Sequence, residues 1–321
     1  LSIDETSFFP YNSLKIRMNG KTWRNLKEEK ADEIKTFLLK AGGKEEARKN
    51  PSEVWRIRLP DALFTYYQNR TLYIAHGPSE KNLLPIYQKM EEIAGPRYSS
   101  PDREMLFGLD ETGKGEIIGP VILAGVSFPK ELFPTIDKIV GLSDTKRPHK
   151  FPYWENIFKQ LSSLKVKGFA YFVEEISPDK LRKENLNRLL DKGYKKIINF
   201  FLKGMGEEKR LKEYRIVLDD YGIGKNFRRF LQCLQEKGAE VIVVKSADSE
   251  YLEVKTAAIL AKRFRERIIK KIKENPKYQI AGLTIGSGNL SDKETKEWLR
   301  KWKEVYKNFP YFVKQSFKIR I

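Results

Sequence analysis

The chain has 321 residues, enough for one large domain or two ordinary ones, and its 40% apolar and 12% aromatic content argues against wholesale disorder. A single cysteine, Cys233, excludes an internal disulfide and points to a reducing, cytoplasmic setting, while no apolar run is long enough to span a membrane. A net charge of +19 makes a polyanion the expected partner; the alternatives are a basic membrane-surface protein or the Lys/Glu-rich surface of a heat-tolerant one.

The start, "LSIDETSFFP", does not read as a signal peptide. "SLKIRMN" alternates as a strand, with Leu14, Ile16 and Met18 on one face and Lys15, Arg17 and Asn19 on the other. "NLKEEKADEIKTFLLKAGG" is an amphipathic helix ending at Gly42 and Gly43. "VWRIRLP" alternates again, with Trp55, Ile57 and Leu59 opposed to Arg56 and Arg58. "ALFTYY", the turn "QNR" and "TLYIAHG" form a hairpin, and "EKNLLPIYQKMEEIAG" closes as a helix with Pro85 near its first turn. The pattern predicts a small α+β unit whose helices cover one sheet face. Lys15, Arg17, Arg56 and Arg58 are expected on the other, as a nucleic-acid grip or as an ordinary solvated face.

"PRYSSPDRE", at 96–104, reads as a linker. The part before it is the less basic: residues 1–100 carry a net +4 and the remainder +15. Beyond the linker come strands at "REMLFGLD", "EIIGPVILAGVSF" and "KVKGFAYFVEEI", then a helix at "ENLNRLLDKGYKKIINFFLK". "YRIVLDD" and "AEVIVVKSAD" are buried strands. A long helix follows at "EYLEVKTAAILAKRFRERIIKKIKEN", with Val254, Ala257, Ala258, Ala261, Phe264, Ile268 and Ile272 on one stripe. Ser291 and Glu294 form a capping box before the last helix, "SDKETKEWLRKWKEVY". Cys233, within the helical pattern "RRFLQCLQEKG", is expected in the core. Strands followed by helix and strand units argue for a mixed sheet flanked by helices.

Three of these strands run into acid: Asp110 and Glu111, Asp219 and Asp220, and Asp248. Each alone could be a helix cap or a turn residue. Gathered together they would repel one another unless a cation lay between them, and an oxygen-only set suits Mg²⁺ or Mn²⁺. Two such ions clamp a phosphodiester for attack by water. With only His76 and His149, and no cysteine pair, a histidine-ligated metal, a zinc site or a Ser-His-Asp triad is disfavoured. The stretch from Gly108 to Lys114 fits the opening of a phosphate-binding P-loop, G-x-x-x-x-G-K. Gly115, however, stands where that loop needs Ser or Thr, and Asp110 and Glu111 would repel the phosphates.

"GLDETGKGEIIGPVILAGV" resembles the first motif of the type 2 ribonucleases H, in which D-E is followed by G-x-G and G-P. "GLSDTKRP" is similar to their D-S-K motif, with Thr145 where Ser is usual, and "IVLDD" to the strand carrying the third acid. "SADSEYLEVKTAAILAKRFRE" resembles the fourth-acid segment, with Thr256, Ala257, Ala258 and Ile259 in place of A-A-S-I. The chain is identified as a member of this family, in its ribonuclease HIII branch, which carries an N-terminal domain resembling half of a TATA-binding protein. Two features are instead similar to ribonuclease HII: Asp248 where HIII has Glu, and the tail "GSGNLSDKETKEWLRKW", in which Asn289 replaces a junction-sensing Tyr.

The resemblance implies a ribonuclease H-like α/β fold, a mixed five-stranded sheet flanked by helices. The divisions would be a TATA-binding-protein-like substrate-binding domain at 1–95, a linker at 96–103 and a catalytic domain at 104–321. It implies hydrolysis of the RNA strand of RNA/DNA hybrids with two Mg²⁺ or Mn²⁺ ions held by Asp110, Glu111, Asp219 and Asp248. The products would carry 5′-phosphate and 3′-hydroxyl ends. Gly113, Lys114 and Gly115 would contact RNA, Thr145 and Lys146 a neighbouring phosphate, and Ser287 and Asn289 the substrate near the tail. The loss of the Tyr at Asn289 implies no single-ribonucleotide junction specificity. The alternatives are an HII-type enzyme that also cuts at embedded ribonucleotides, and a non-catalytic hybrid-binding protein. A monomer without an obligate protein partner is expected.

Overall fold

A computed structural model of the chain describes residues 19–23, 26–77, 81–95, 98, 101–140, 143, 149–204 and 208–315. The chain divides into two compact units, Leu1–Gly95 and Pro96–Ile321. Lys15 and Arg17, with most of the strand expected around them, lie outside the described residues.

Among the described residues, the first unit is an antiparallel sheet with two α-helices. Strands β1 (Asn19–Trp23), β2 (Lys44–Glu45), β3 (Glu53–Leu59), β4 (Ala62–Tyr67) and β5 (Leu72–His76) lie in the order β1-β5-β4-β3-β2. Helix α1 (Glu28–Lys40) turns Ala31, Ile34 and Leu38 inward at helical spacing, and α2 (Leu84–Ala94) buries Tyr87 and Met90. Trp55, Ile57 and Leu59 are buried, as the alternation in β3 predicts. The open basic face is not borne out at Arg56, which is only 6% exposed. Its guanidinium lies 3.0 Å from Glu53 and 3.6 Å from Glu46. The face itself is not closed over, since Val54 is exposed and Arg58 partly open; it is the two carboxylates that cover Arg56. The charge buried with Arg56 is balanced by two carboxylates, as burial requires. Arg58 remains partly open and pairs with Glu46 at 2.8 Å.

The second unit is built on a mixed five-stranded sheet in the order β10-β9-β6-β7-β8. Its strands are β6 (Met105–Thr112), β7 (Val121–Pro129), β8 (Ala170–Ile176), β9 (Tyr214–Asp219) and β10 (Glu240–Val244). Strands β6, β7 and β8 are antiparallel neighbours, whereas β6, β9 and β10 run parallel. Residues 116–120, expected within the second strand, form part of the β6–β7 connection instead. Helices α3 (Phe133–Val140), α4 (Phe151–Ser163), α5 (Pro178–Lys183), α6 (Leu186–Gly204), α7 (Lys225–Glu236), α8 (Leu252–Glu274) and α9 (Lys293–Tyr306) complete the unit.

Strand alternation sorts the core. Phe107, Leu109, Val121 and Leu123 pack with α6 and α7, while Leu106, Ile122, Ala124 and Val126 pack with α3, α4 and α8. A third cluster joins Ile117 and Ile118 to Trp298 and Trp302 of α9 and to Phe312 and Val313.

Helix α8 is buried nearly all round from Leu252 to Ala261, rather than along one stripe, because it lies against the central strands. At Gly108 the approach is backbone to backbone: a Cβ there would fall 2.0 Å from the carbonyl carbon of Glu253. Glu253, fully buried, pairs with Arg215 of β9 at 2.8 Å and so fixes the same helix to the next strand. Two expectations are corrected at helix ends and surfaces. The last helix is capped by Asp292, which accepts the Glu294 N–H, while Glu294 receives Thr284 instead of closing a box on Ser291. Cys233 is exposed on the outer face of α7, where the helical pattern alone did not distinguish the faces.

Gly108→Ala is expected to lower stability by about 3 kcal/mol, because the clash is with backbone that cannot rotate away. Urea unfolding measures this, and a loss below about 1 kcal/mol would contradict the packing described.

Candidate active site

The three parallel strands end at one edge of the sheet, and each brings acid to it. In a sheet of this kind ligands sit outside the carboxyl ends of the strands. Leu109 pairs with Leu218, so Asp110, still within β6, and Asp219, the last residue of β9, follow side by side where the parallel pairing ends. Val244 of β10 is paired with Asp219, and a left-handed Ser246 (φ 57°) turns the chain into the short helical turn Ala247–Ser249 that carries Asp248. Asp110 shares its face of β6 with Gly108, the face on which α8 lies, so the turn leading into α8 comes to the same place.

The electrostatics record this convergence. Burial holds the Asp110 carboxyl well above the usual carboxylate range, and the charges of Glu111, Asp248 and Asp219 push it further in the same direction. Asp110 nevertheless remains partly accessible, as do Asp219 and Asp248. Glu111 projects to the opposite face, where it is buried, accepts the Tyr194 hydroxyl proton and pairs with Lys114. Burial first, and then these carboxylates, raise the Tyr194 phenol well above its ordinary value. Asp219 accepts the Ala247 N–H at 3.2 Å, and Lys255 stands 3.9 Å from Asp248.

With these protein partners in place, no three Asp, Glu, His or Cys side chains among the described residues are closed tightly enough to hold an ion as they stand. The donor chemistry still fits a hard divalent cation. All four groups are carboxylates, and Asp110 has three like charges opposing its own. Asp220 is set apart: its carboxylate receives the Gly222 N–H at 3.0 Å in a local turn.

Beyond Glu111 the chain folds back. Gly113 is buried at φ 92°, and a Cβ there would meet Pro120 O at 2.6 Å and Arg265 Nε at 3.0 Å. Lys114 is half-buried, and Gly115 is exposed with open space beside its Cα. The G-S-G loop lies against this segment, since Gly288 O accepts the N–H groups of Ile117 and Ile118 at 2.9 and 3.2 Å. Ser287 and Asn289 are exposed there; Ser287 N–H donates to Asp292, and Asn289 Oδ1 accepts the Ser291 N–H at 2.9 Å. Thr145 and Lys146 lie outside the described residues. Arg56 and Arg58 belong to the other unit.

The family model for ribonuclease HII matches residues 107–320, which takes in all but the first two residues of this sheet. The chain belongs to the ribonuclease HII family. It is a ribonuclease H of the type 2 family. Ribonuclease HII of Sulfurisphaera tokodaii is 32% identical over 218 residues, covering 67% of this chain and 93% of that one. The ribonuclease HII of Archaeoglobus fulgidus, solved in a complex with PCNA, is 30% identical with a TM-score of 0.51, over 68% of this chain and 96% of that one. Bst-RNase HIII, solved with Mn²⁺, matches 94% of this chain and 96% of its own length at a TM-score of 0.51. At 14% identity that likeness is one of fold alone.

Three residues that contact Glu111 or the loop after it were not singled out by the sequence. Tyr194 sits on the buried side of α6, where its hydroxyl, needing a partner, is the available signal. Arg265 is one of many charges in a basic helix, and no pattern sets it apart. Lys314, in "YFVKQSF", carried no pattern that would single it out.

The two glycines of the loop separate by experiment. Gly113→Ala is expected to cost about 1–3 kcal/mol through its positive φ and the contact with Pro120. Gly115→Ala is expected to stay within about 0.5 kcal/mol of the parent. Equal losses in thermal or urea unfolding would contradict this assignment.

Proposed function

We propose that the chain hydrolyses the RNA strand of RNA/DNA hybrids at the end of β6, with Asp110, Glu111, Asp219 and Asp248 holding Mg²⁺ or Mn²⁺. The observation that carries this reading is Asp110, a partly accessible residue whose carboxylate charge is opposed by burial and by three other carboxylates. When bound, the ions supply an activated water and stabilise the leaving 3′ oxygen, giving 5′-phosphate and 3′-hydroxyl ends. Mn²⁺ is the ion in the Bst-RNase HIII structure.

The chain's own residues bind and orient the substrate. Gly115 leaves room for close approach of an RNA backbone, whose 2′-hydroxyls the loop amides would read. Lys114, tied to Glu111, stands between the acids and that surface and would meet the adjoining phosphate. Tyr194 fixes Glu111 from the opposite side. Thr145 and Lys146 are proposed for a neighbouring phosphate on the motif alone. The first unit, with Arg58 on its partly open surface, is proposed as a TATA-binding-protein-like grip on the hybrid away from the cut.

Within the family, the specificity proposed is that of ribonuclease HIII, without cutting at single embedded ribonucleotides. It is supported by Asn289, which offers no ring to a junction and whose amide oxygen is already bonded to Ser291. The ribonuclease HII names of the relatives favour the other reading, an enzyme that also incises there.

Asp110→Asn is expected to retain hybrid binding and to lose cleavage of a fluorescent hybrid by more than roughly a hundred-fold, since even outer partners of a metal site are worth 10–100-fold. Cleavage at the parent rate would sink the assignment of the acids. A DNA duplex with one embedded ribonucleotide is expected to survive conditions that cut the hybrid, and efficient incision there would establish the HII-type specificity instead.

A further inference from the structure

We infer that Lys314 is a positioning residue, which with Arg265 sets the shape of the 113–116 loop and through it the fit of the RNA strand. The inference rests on the reading of that loop as an RNA contact. The β6–β7 connection bonds little to itself and takes its hydrogen bonds from three distant segments. Gly288 O accepts from Ile117 and Ile118, Phe312 O accepts the Gly119 N–H at 2.8 Å, and Ile117 O accepts the Lys314 N–H at 2.9 Å. Arg265 Nη2 donates to Ile118 O at 2.9 Å and lies 3.7 Å from the Glu116 carboxylate. Lys314 Nζ donates both to Gly113 O and, at 2.7 Å, to Glu116 O. One ammonium group therefore joins the two ends of a tetrapeptide in which Gly115 is exposed and Lys114 half-buried.

Lys314 is fully buried, so it cannot itself touch a bound strand. Its environment is unfavourable to a cation: burial, then the neighbouring Arg265, lowers its pKa to about 8, against the opposing effect of Glu116. An apolar side chain of the same volume often serves stability as well as a buried ion. What an apolar chain cannot do is bond two carbonyls that flank Lys114 and Gly115. The loop's curvature, rather than its burial, is what the ammonium determines.

The test compares Lys314→Met and Lys314→Arg in the full chain, using a fluorescent RNA/DNA hybrid, the matching DNA duplex and the two metals. Lys314→Met is expected to raise KM for the hybrid, and to weaken hybrid binding in EDTA, by about ten-fold, the worth of one charge-assisted hydrogen bond. The same variant should keep kcat at saturating hybrid and the affinity for the DNA duplex, and Lys314→Arg should recover most of the loss. An unchanged KM, a parallel loss on both duplexes, or no recovery with Arg overturns the inference. If Lys314→Met does not fold, Lys314→Gln, which keeps an N–H donor but is too short to bridge both carbonyls, is judged by the same criteria. A parent chain that cuts no hybrid defeats the underlying functional reading, whereas a cutting parent with an indifferent Lys314→Met defeats only this one.

Discussion

The catalytic unit depends on how closely α8 lies on β6. At Gly108 strand and helix meet backbone to backbone, with no room for even a methyl group. Asp110 is two residues further along the same face of the strand, and Asp248 is five residues before Glu253, the point of contact on the helix. Remove the close approach and these two acids separate. The buried Glu253–Arg215 pair then makes the position of α8 a property of β9 as well. The edge at which Asp110, Asp219 and Asp248 collect is thus set by packing several residues away from the acids themselves.

Strand alternation divides the acids between two environments. Asp110 looks toward α8 and faces Asp248 and Asp219, an arrangement that opposes its ionisation. Glu111, its immediate neighbour, is turned toward α6 and is satisfied by Tyr194 and Lys114. One strand end therefore presents an under-compensated carboxyl and a fully compensated one. The second is also the link to the 113–116 loop, because Lys114 belongs to it. Loop and acids are joined by an ion pair rather than by sequence proximity alone.

Much of this candidate site stood out because an acid at the close of an apolar run is not favoured by packing. "RIVLDD" and "LFGLDE" declare both a buried strand and a carboxylate at its end. Of the adjacent pair, Asp219 acts on the Asp110 carboxyl, whereas Asp220 closes a turn on Gly222. Less legible were features that depend on what covers a surface. Alternation in "VWRIRLP" gives the face on which Arg56 lies but not whether Arg56 is open on it, and Glu53 and Glu46 cover it. Ser291 and Asp292 are both competent caps, and the Thr284–Glu294 bond decides between them. Lys314 was invisible because its role comes from carbonyls some 200 positions earlier in the chain.

The sign of the charge is the remaining question that the fold makes tractable. A chain of net charge +19 draws a polyanion toward it from a distance, and the effect weakens with salt. At contact range the balance reverses, because a phosphate entering the end of β6 meets the carboxylates of Asp110, Asp219 and Asp248 with Lys114 already paired to Glu111. Long-range attraction alone would leave the strand bound beside the acids and not among them. Divalent ions change the local sign without altering the distant field. On the reading proposed here they are needed twice, to let the phosphodiester approach and to activate the water that cleaves it. The glycines at 113 and 115 fit the same logic: one is required by the protein's own backbone, and the other leaves open the space through which a strand could reach the neutralised edge.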